Sequence, residues 1–275
     1  MKNTATATQP KSKAKKLLFY VVIPLTVIVI LSLISHAIWK SSGSNQWELQ
    51  RDEEGVKIYT KKIPGDALLK VRGVGKIRSK LAGIFKLMRD AESCVDAGCY
   101  DASVIETKDY PHIVYYKFTY PLFFPFKDRE YIVVSEFVQD PVTKEINVDY
   151  VATPDKMPSS DCCVRITHMD NKWRFTPLEN GDVEVEFELD TSSGGNFPDF
   201  VISLGAPGLV HWAILDFQRI LDKDKYQNAK AEYLDEYPID GVISEEKVEE
   251  DVAKGDDVAE AESIAAEAEE KEAAL

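Results

Sequence analysis

The sequence lacks the short motifs that mark many catalytic and nucleotide-binding sites. It contains no Gly-x-Ser-x-Gly segment, which excludes the nucleophile elbow of α/β-hydrolases. Gly73 and Gly75 are not followed by the third glycine of a dinucleotide-binding loop, and they lie in a stretch with a strand pattern. The four histidines are scattered, so their spacing predicts neither a metal site nor a catalytic triad. We therefore expect no catalytic residues, no metal and no cofactor.

An excess of basic residues is also missing. The formal net charge is −14, and a nucleic-acid-binding protein needs a basic face, so we expect no nucleic-acid partner. The charge is unevenly distributed along the chain. Residues 1–16 carry five lysines and no acid, whereas residues 241–275 carry thirteen acidic residues and three lysines. The mildly acidic remainder favours solubility and indicates little about function.

Paired cysteine motifs are absent. The four cysteines are Cys94, Cys99, Cys162 and Cys163, and no Cys-x-x-Cys spacing occurs, which argues against structural zinc. Cys162 and Cys163 would point to opposite faces of a predicted strand. Free buried thiols and a single disulfide in an exported domain both fit this pattern.

Charged residues are missing between Leu17 and Trp39. A helix of that length spans about 35 Å, against a bilayer core of roughly 30 Å. The segment therefore predicts a transmembrane helix, with Trp39 near the far membrane interface.

A cleaved signal peptide is the alternative to a retained anchor. Residues 35–37, Ser-His-Ala, resemble a cleavage site, but the apolar stretch exceeds the roughly 7–15 residues usual in a signal peptide, which favours an anchor. Because the lysines precede it, the positive-inside rule places the N-terminus in the cytoplasm. The rest of the chain is then expected on the far, extracytoplasmic (periplasmic) side of the membrane.

The middle of the chain has a mostly β pattern. Strands are predicted at 56–60, 68–77, 113–120, 130–139, 145–152, 162–168, 172–177 and 183–190. An amphipathic helix is predicted over Lys80–Arg89, with Ser79 as its N-cap. A longer helix is predicted from Pro198 to about Tyr233, kinked or interrupted at Pro207.

Strand alternation assigns side chains to the inner face of a curved sheet. In the last strand, Val183, Val185 and Phe187 alternate with acidic residues, so its apolar side faces a core. The same alternation in the other strands, with apolar residues of the long helix, completes the inner set. The predicted ligand-contacting residues are Tyr116, Phe118, Tyr131, Val133, Ser135, Tyr150, Trp173, Phe187, Leu204, Trp212 and Leu215.

A sheet wrapped around one long helix tends to leave an interior too wide for side chains to fill. An inner set of aromatic and aliphatic residues would suit a lipid or another hydrophobic small molecule. A fully packed core is the alternative, and the periodicity does not decide between the two.

Four segments resemble the START (steroidogenic acute regulatory protein-related lipid transfer) domain family. They are WELQRDEEGVKIYTKKIPG (47–65), PFKDREYIV (125–133), CVRITHMDNKWRFTPLENGDVEVEFELD (163–190) and GGNFPDF (194–200). Together they cover about residues 47–225 in the order and spacing of the family, and exported bacterial members look most similar.

This resemblance implies an α+β helix-grip fold, in which a curved antiparallel sheet surrounds a long C-terminal helix, here preceded by one transmembrane helix. It also implies non-catalytic binding or transfer of one lipid. Some sterol-binding members keep a charged pair in the cavity, but the matching positions here are Tyr116 and Ser135, so a sterol is not implied. Arg165 is expected to be structural, and Arg129 to form a local ion pair with Asp128.

The predicted organisation has five parts. They are a basic segment (1–16), a transmembrane anchor (17–39), a linker (40–46), a START-like lipid-binding domain (47–235) and an acidic Ala/Glu-rich tail (236–275), disordered or a solvated helix. The predicted function is membrane-tethered lipid binding or transfer, with a gate near 194–208. A helix-grip enzyme of cyclase or isomerase type and a non-catalytic interaction module are the alternatives. The sequence fixes neither the ligand nor the oligomeric state.

Overall fold

The computed structural model describes residues 18–195 and 199–238. The basic segment 1–16, the helix start predicted at Pro198 and the acidic tail from residue 239 onwards lie outside the described residues.

The apolar N-terminal segment forms one exposed helix. A π-helical turn, Leu18–Val22, leads into helix α1, Ile23–Ser41, and within α1 only His36 and Trp39 are partly covered by the domain. Residues Phe19–Ser41 are long and apolar enough to cross a membrane, a property that anchors share with signal sequences.

One antiparallel sheet forms the framework of the domain. Its strands are β1 (Glu48–Glu53), β2 (Val56–Lys62), β3 (Leu69–Ile77), β4 (Tyr100–Asp109), β5 (Ile113–Tyr120), β6 (Arg129–Gln139), β7 (Ile146–Ala152), β8 (Val164–Arg165), β9 (Asp170–Pro177) and β10 (Val183–Leu189). The strand order is β1-β2-β3-β10-β9-β7-β6-β5-β4, and β8 pairs in parallel with the start of β6. The sequence did not predict β1 and β4, because these edge strands are mostly exposed and carry little apolar alternation.

Three helices follow α1: α2 (Leu81–Arg89), α3 (Asp199–Leu221) and the short α4 (Asp224–Gln227). Helix α2 begins one residue after the predicted start and ends at Arg89 as predicted, but Ser79 is not its N-cap. Instead, the carboxylate of Glu236 accepts hydrogen bonds from the backbone N–H groups of Leu81 and Ala82, at 3.0 and 2.7 Å. Tyr237 also packs against the core, so the packed domain extends beyond the predicted boundary at residue 235.

Helix α3 is the long helix that the sheet grasps. It continues through Pro207 without interruption, and it ends at Leu221 rather than near Tyr233. It packs mainly against β2, β3 and β10, which form one half of the concave face. This architecture confirms the predicted α+β helix-grip fold.

The core has two clusters of buried side chains. The larger lies between α3, α2 and the sheet and includes Ile58, Val71, Phe175 and Ile214. The smaller lies on the β5–β6 half of the sheet, and its members are Val114, Tyr116, Val133, Ile166 and Met169. Tyr150 packs against both clusters.

Both cysteine pairs are disulfides, so the expectation of free thiols is wrong and a single disulfide undercounts the bonds. A 3₁₀ turn, Ala91–Val95, brings the Cα atoms of Cys94 and Cys99 to 5.1 Å. Cys162 and Cys163 bond to each other as neighbours. They are not on opposite faces of a strand, because β8 begins only at Val164.

Candidate functional site

The eight predicted site residues on the sheet lie on its concave face. Direct cross-strand partners share a face. Phe118 pairs with Tyr131, Ser135 pairs with Tyr150, and Trp173 pairs with Phe187. Tyr116 and Val133 form a further pair on the same side of β5 and β6. The alternation in the sequence thus assigned these eight residues to the same face of the sheet, and their contact with a ligand stays a prediction.

Aromatic rings line the concave face in two groups. On β5 and β6, Phe118 stacks on Tyr131 with ring centroids 5.0 Å apart, and Tyr120 meets both rings edge-on. Nearer to α3, Trp173 stacks on Phe187 at 4.1 Å and on Phe217 at 5.1 Å. The first group lies on the half of the sheet away from the main contacts of α3.

Three tyrosines on this face combine deep placement with accessible surface. Burial raises the pKa of the Tyr120, Tyr131 and Tyr150 hydroxyls. Each side chain nevertheless keeps some accessible surface. Rings that are surrounded by protein and still keep accessible surface have the properties expected beside an internal hollow or cleft.

Three predicted residues on α3 lie on the wrong side of the helix to contact a ligand from inside. Leu204, Trp212 and Leu215 are 72%, 48% and 38% exposed. The buried side of α3 includes Ala206, Val210, Ile214, Phe217 and Leu221. The prediction is therefore wrong for these three residues. Large apolar residues occur on most sides of α3, so size alone does not identify the buried side.

Two strand glycines decide which side of α3 packs on the sheet. A Cβ atom at Gly73 would lie 2.5 Å from Cδ1 of Ile214 and 2.7 Å from Cγ1 of Val210. At Gly75 it would lie 3.0 Å from Cγ2 of Ile214. The missing side chains let α3 approach β3 closely, as glycine does where an element nears a strand.

Arg89 contacts the candidate site at Ser135 and was not among the residues that the sequence predicted. It is the last residue of α2, and its side chain is buried. Nη1 donates to Oγ of Ser135 over 2.8 Å, while Nε and Nη2 donate to the carbonyl oxygen of Pro111 at 3.1 and 2.7 Å. A basic residue at a helix end is usually solvated, but Arg89 follows Phe85 by four residues and so continues the buried stripe of α2.

The hydrogen-bond partners of the Arg89 guanidinium are uncharged, although Asp90 and Glu232 line the same cleft as Arg89. In the part of the chain that the structure describes, all three of its hydrogen bonds go to uncharged oxygen atoms. The Tyr150 hydroxyl donates to the carbonyl oxygen of Met88 over 3.1 Å, and burial raises the pKa of the nearby Tyr116 hydroxyl. The arrangement brings a cation to Ser135, where the sequence had indicated no charge.

Arg165 and Arg129 make structural contacts. Arg165 donates through Nε and Nη2 to the buried carboxylate of Glu130, at 2.8 and 2.6 Å. Arg129 does not form the expected ion pair with Asp128; it donates to the carbonyl oxygen of Ser193 over 2.6 Å and to that of Lys127. Asp128 instead accepts a hydrogen bond from the Tyr100 hydroxyl at 2.5 Å.

An exposed apolar loop joins β5 to β6. Phe123 and Phe124 are 66% and 94% exposed. The bond from Arg129 to Ser193 ties the end of this loop to the segment that leads into α3. Large exposed apolar side chains grouped in one place are typical of surfaces that meet a membrane or a partner.

Comparisons with known proteins agree with the fold. No family model matches the chain. An uncharacterized protein of Pseudomonas aeruginosa is 25% identical over 183 residues, which cover 63% of this chain and 87% of that protein. Among solved structures, a STAR-related lipid transfer protein fragment from Xanthomonas axonopodis is 21% identical, with a TM-score of 0.59, over 64% of this chain and 99% of that chain. Human STARD10 is 13% identical, with a TM-score of 0.60, and the match covers 67% of this chain and 76% of that chain. The chain therefore has the START-domain fold, and the resemblance found in the sequence is confirmed at that level.

Proposed function

We propose that the chain is a membrane-tethered protein that binds one hydrophobic ligand between the concave face of its sheet and α3. The observation that carries the proposal is the partial exposure of Tyr120, Tyr131 and Tyr150, whose pKa values are nevertheless raised by burial. Uncovered apolar surface costs about 25 cal/mol per Å² in water. A lipid lying against these rings would remove that cost.

Arg89 supports a ligand that has a polar, negatively charged end. Its guanidinium is buried and bonded to uncharged oxygens, and a buried cation is stabilised by a negatively charged partner. A carboxylate or phosphate group of a lipid would supply that charge beside Ser135. The ligand class that fits is therefore a lipid with an anionic head group.

The proposed gate lies where the chain enters α3. Gly194 and Gly195 both have φ of 63°, a backbone conformation that glycine adopts without strain. The neighbouring loop between β5 and β6 presents Phe123 and Phe124 to the surroundings. Movement of this segment and loop would open a path from a membrane to the concave face.

Helix α1 is the proposed membrane tether, and it determines on which side of the membrane the domain lies. Helix α1 is exposed and long enough to span a bilayer, and the lysines before it favour an extracytoplasmic domain. An alkaline phosphatase fused after residue 275 is expected to be active, because this enzyme matures only outside the cytoplasm. Inactive fusions, or a mature chain whose mass lacks α1, would contradict the tethered arrangement.

In this proposal the chain binds its ligand and does not catalyse a reaction on it. The raised pKa values of Tyr116 and Tyr150 keep both hydroxyls protonated near neutral pH, so neither suits the role of general base. The groups that meet at Arg89 therefore favour holding a head group over transferring its protons.

Photolabelling of the full chain tests the proposal. A diazirine-bearing fatty acid is added to detergent-solubilised protein, and the labelled peptides are mapped by mass spectrometry. Label is expected on β5 and β6, at Phe118 and Tyr131, and excess oleate should compete for it. Label confined to α1 and to the exposed side of α3 would contradict an internal site.

A further inference from the structure

The end of α1 is fixed to the domain. Nε1 of Trp39 donates to the carbonyl oxygen of Ala67 over 2.8 Å, and Nζ of Lys62 lies 5.4 Å from the centroid of the Trp39 ring. The backbone N–H of Gly65 donates to the carbonyl oxygen of Lys40 over 2.7 Å. These contacts set the direction of α1 relative to the start of α3.

A groove separates α1 from the first turns of α3. Phe200 and Leu204 form one wall, and the other is a single stripe of α1 that consists of Ile28, Leu31, Ser32, Ser35, His36 and Trp39. The groove has a volume of about 440 Å³, within the range of roughly 300–1,000 Å³ typical of ligand sites. Leu204 faces α1 and yet is 72% exposed, so the two walls do not close on each other.

The groove is polar near the domain and apolar further along α1. Ser35 and His36 lie within about one turn of Trp39, whereas Ile28 lies about 16 Å away along the helix axis. With Trp39 at the membrane interface, Ile28 would reach roughly the middle of a bilayer core of about 30 Å. From the membrane interface to the middle of the bilayer, the groove therefore changes from polar to apolar, as one lipid leaflet does.

We propose that this groove binds one phospholipid of the tethering membrane and is the position from which the domain takes up its ligand. The proposal rests on the proposed function, because it needs α1 in the membrane and a lipid-binding interior. The ester groups would lie beside Ser35 and His36, and one acyl chain would pack between Ile28 and Leu204. This occupant is favoured because the groove opens along the membrane-spanning part of α1, where lipid is the surrounding medium.

The groove lies at the start of α3, and this position explains how a lipid in it would reach the interior. Leu204 lies in the second turn of α3, shortly after Gly194 and Gly195, at the proposed gate. A lipid in the groove therefore touches the end of α3 that must move for the interior to open. In this arrangement α1 is one wall of the uptake site as well as the tether.

The test uses the full chain in nanodiscs that contain phosphatidylcholine and a trace of phosphatidylcholine carrying a diazirine in one acyl chain. Ser35→Trp fills the groove, and Ala37→Trp places the same side chain on the opposite side of α1. After illumination, label on the peptide containing Leu204 is quantified. We expect Ser35→Trp to lower this label about tenfold and Ala37→Trp to leave it unchanged within about twofold.

A second measurement separates the groove from the interior. Both variants are delipidated, loaded with oleate from solution and examined by native mass spectrometry. Loading equal to that of the wild type, together with loss of Leu204 label in Ser35→Trp alone, supports the groove as the uptake site. Leu204 label that is equal in both variants overturns the groove and leaves the proposed function standing. Failure of the wild type to load overturns the proposed function itself.

Discussion

The Nη1 atom of Arg89 donates a hydrogen bond to Oγ of Ser135 over 2.8 Å. The contact joins the last residue of α2 to the concave face of β6. It brings a buried cation to one end of a surface that is otherwise aromatic and aliphatic, and this pairing is the basis of the ligand class proposed here.

Replacing Arg89 by Met is expected to weaken the binding of oleate about tenfold or more, because a hydrogen bond to a charged group contributes about 1.5–3 kcal/mol. Oleyl alcohol, which has the same chain without the charge, should lose much less. Affinities follow from displacement of a fluorescent fatty acid from the full chain. Arg89→Lys should keep the preference for oleate, and Arg78→Met, a change at an exposed arginine just before α2, is the matched control. Equal losses for both ligands in Arg89→Met would show that Arg89 only supports the fold.

Gly73→Ala is expected to lower the free energy of unfolding by about 1–3 kcal/mol, because the new Cβ atom would overlap Ile214 and Val210 of α3. Gly208→Ala is the control, since no atom lies within 4 Å of the added Cβ on the exposed side of α3. That change should stabilise the protein by up to about 1 kcal/mol through helix propensity. Urea unfolding of the detergent-solubilised chain measures both values. Similar stabilities for the two variants would refute the close packing of α3 on β3.

Arg165→Met is expected to cost about 3–5 kcal/mol of stability, because it removes the cation that is hydrogen-bonded to the buried Glu130 carboxylate and leaves only Lys117, at 3.8 Å. Lys172→Met removes a half-exposed lysine whose two carboxylate partners lie at 3.6 and 3.8 Å, and it should cost about 0–1 kcal/mol. Thermal unfolding of both variants checks the contrast. An Arg165→Met variant with lost ligand binding and unchanged stability would argue for a functional role instead.

Stability should fall in acid partly through Asp190. Burial acts to raise the pKa of this carboxylate, but hydrogen bonds from Lys70 at 2.5 Å and with His168 at 2.9 Å outweigh it and hold the pKa below its ordinary value. The unfolded chain therefore binds the proton first, so this contribution is complete well above pH 4 and declines below about pH 4. Asp190→Asn should be less stable at pH 7 and should lose less stability on acidification. Parallel pH profiles for the two proteins, from urea unfolding between pH 7 and 3, would contradict this role.

The sequence predicted the parts of the fold in which burial alternates cleanly. Val183, Val185 and Phe187 alternate with acids in β10, and the same pattern assigned the eight predicted sheet residues to one face. The edge strands β1 and β4 were not predicted, because neither face of either strand is well buried. The side of α3 that packs on the sheet was mispredicted because it depends on Gly73 and Gly75, which are far away in the sequence. Arg89 was missed because its partner Ser135 lies on another element.

Native mass spectrometry of the full chain, purified in mild detergent, tests the central claim most directly. The account predicts a species that carries one lipid per chain, that survives removal of the detergent, and that loses occupancy in Ala213→Phe, which adds a ring to the partly buried side of α3. Leu215→Phe, on the exposed side, should keep its lipid. A chain that is ligand-free from every preparation, and that accepts neither fatty acid nor phospholipid when these are added, would contradict the account.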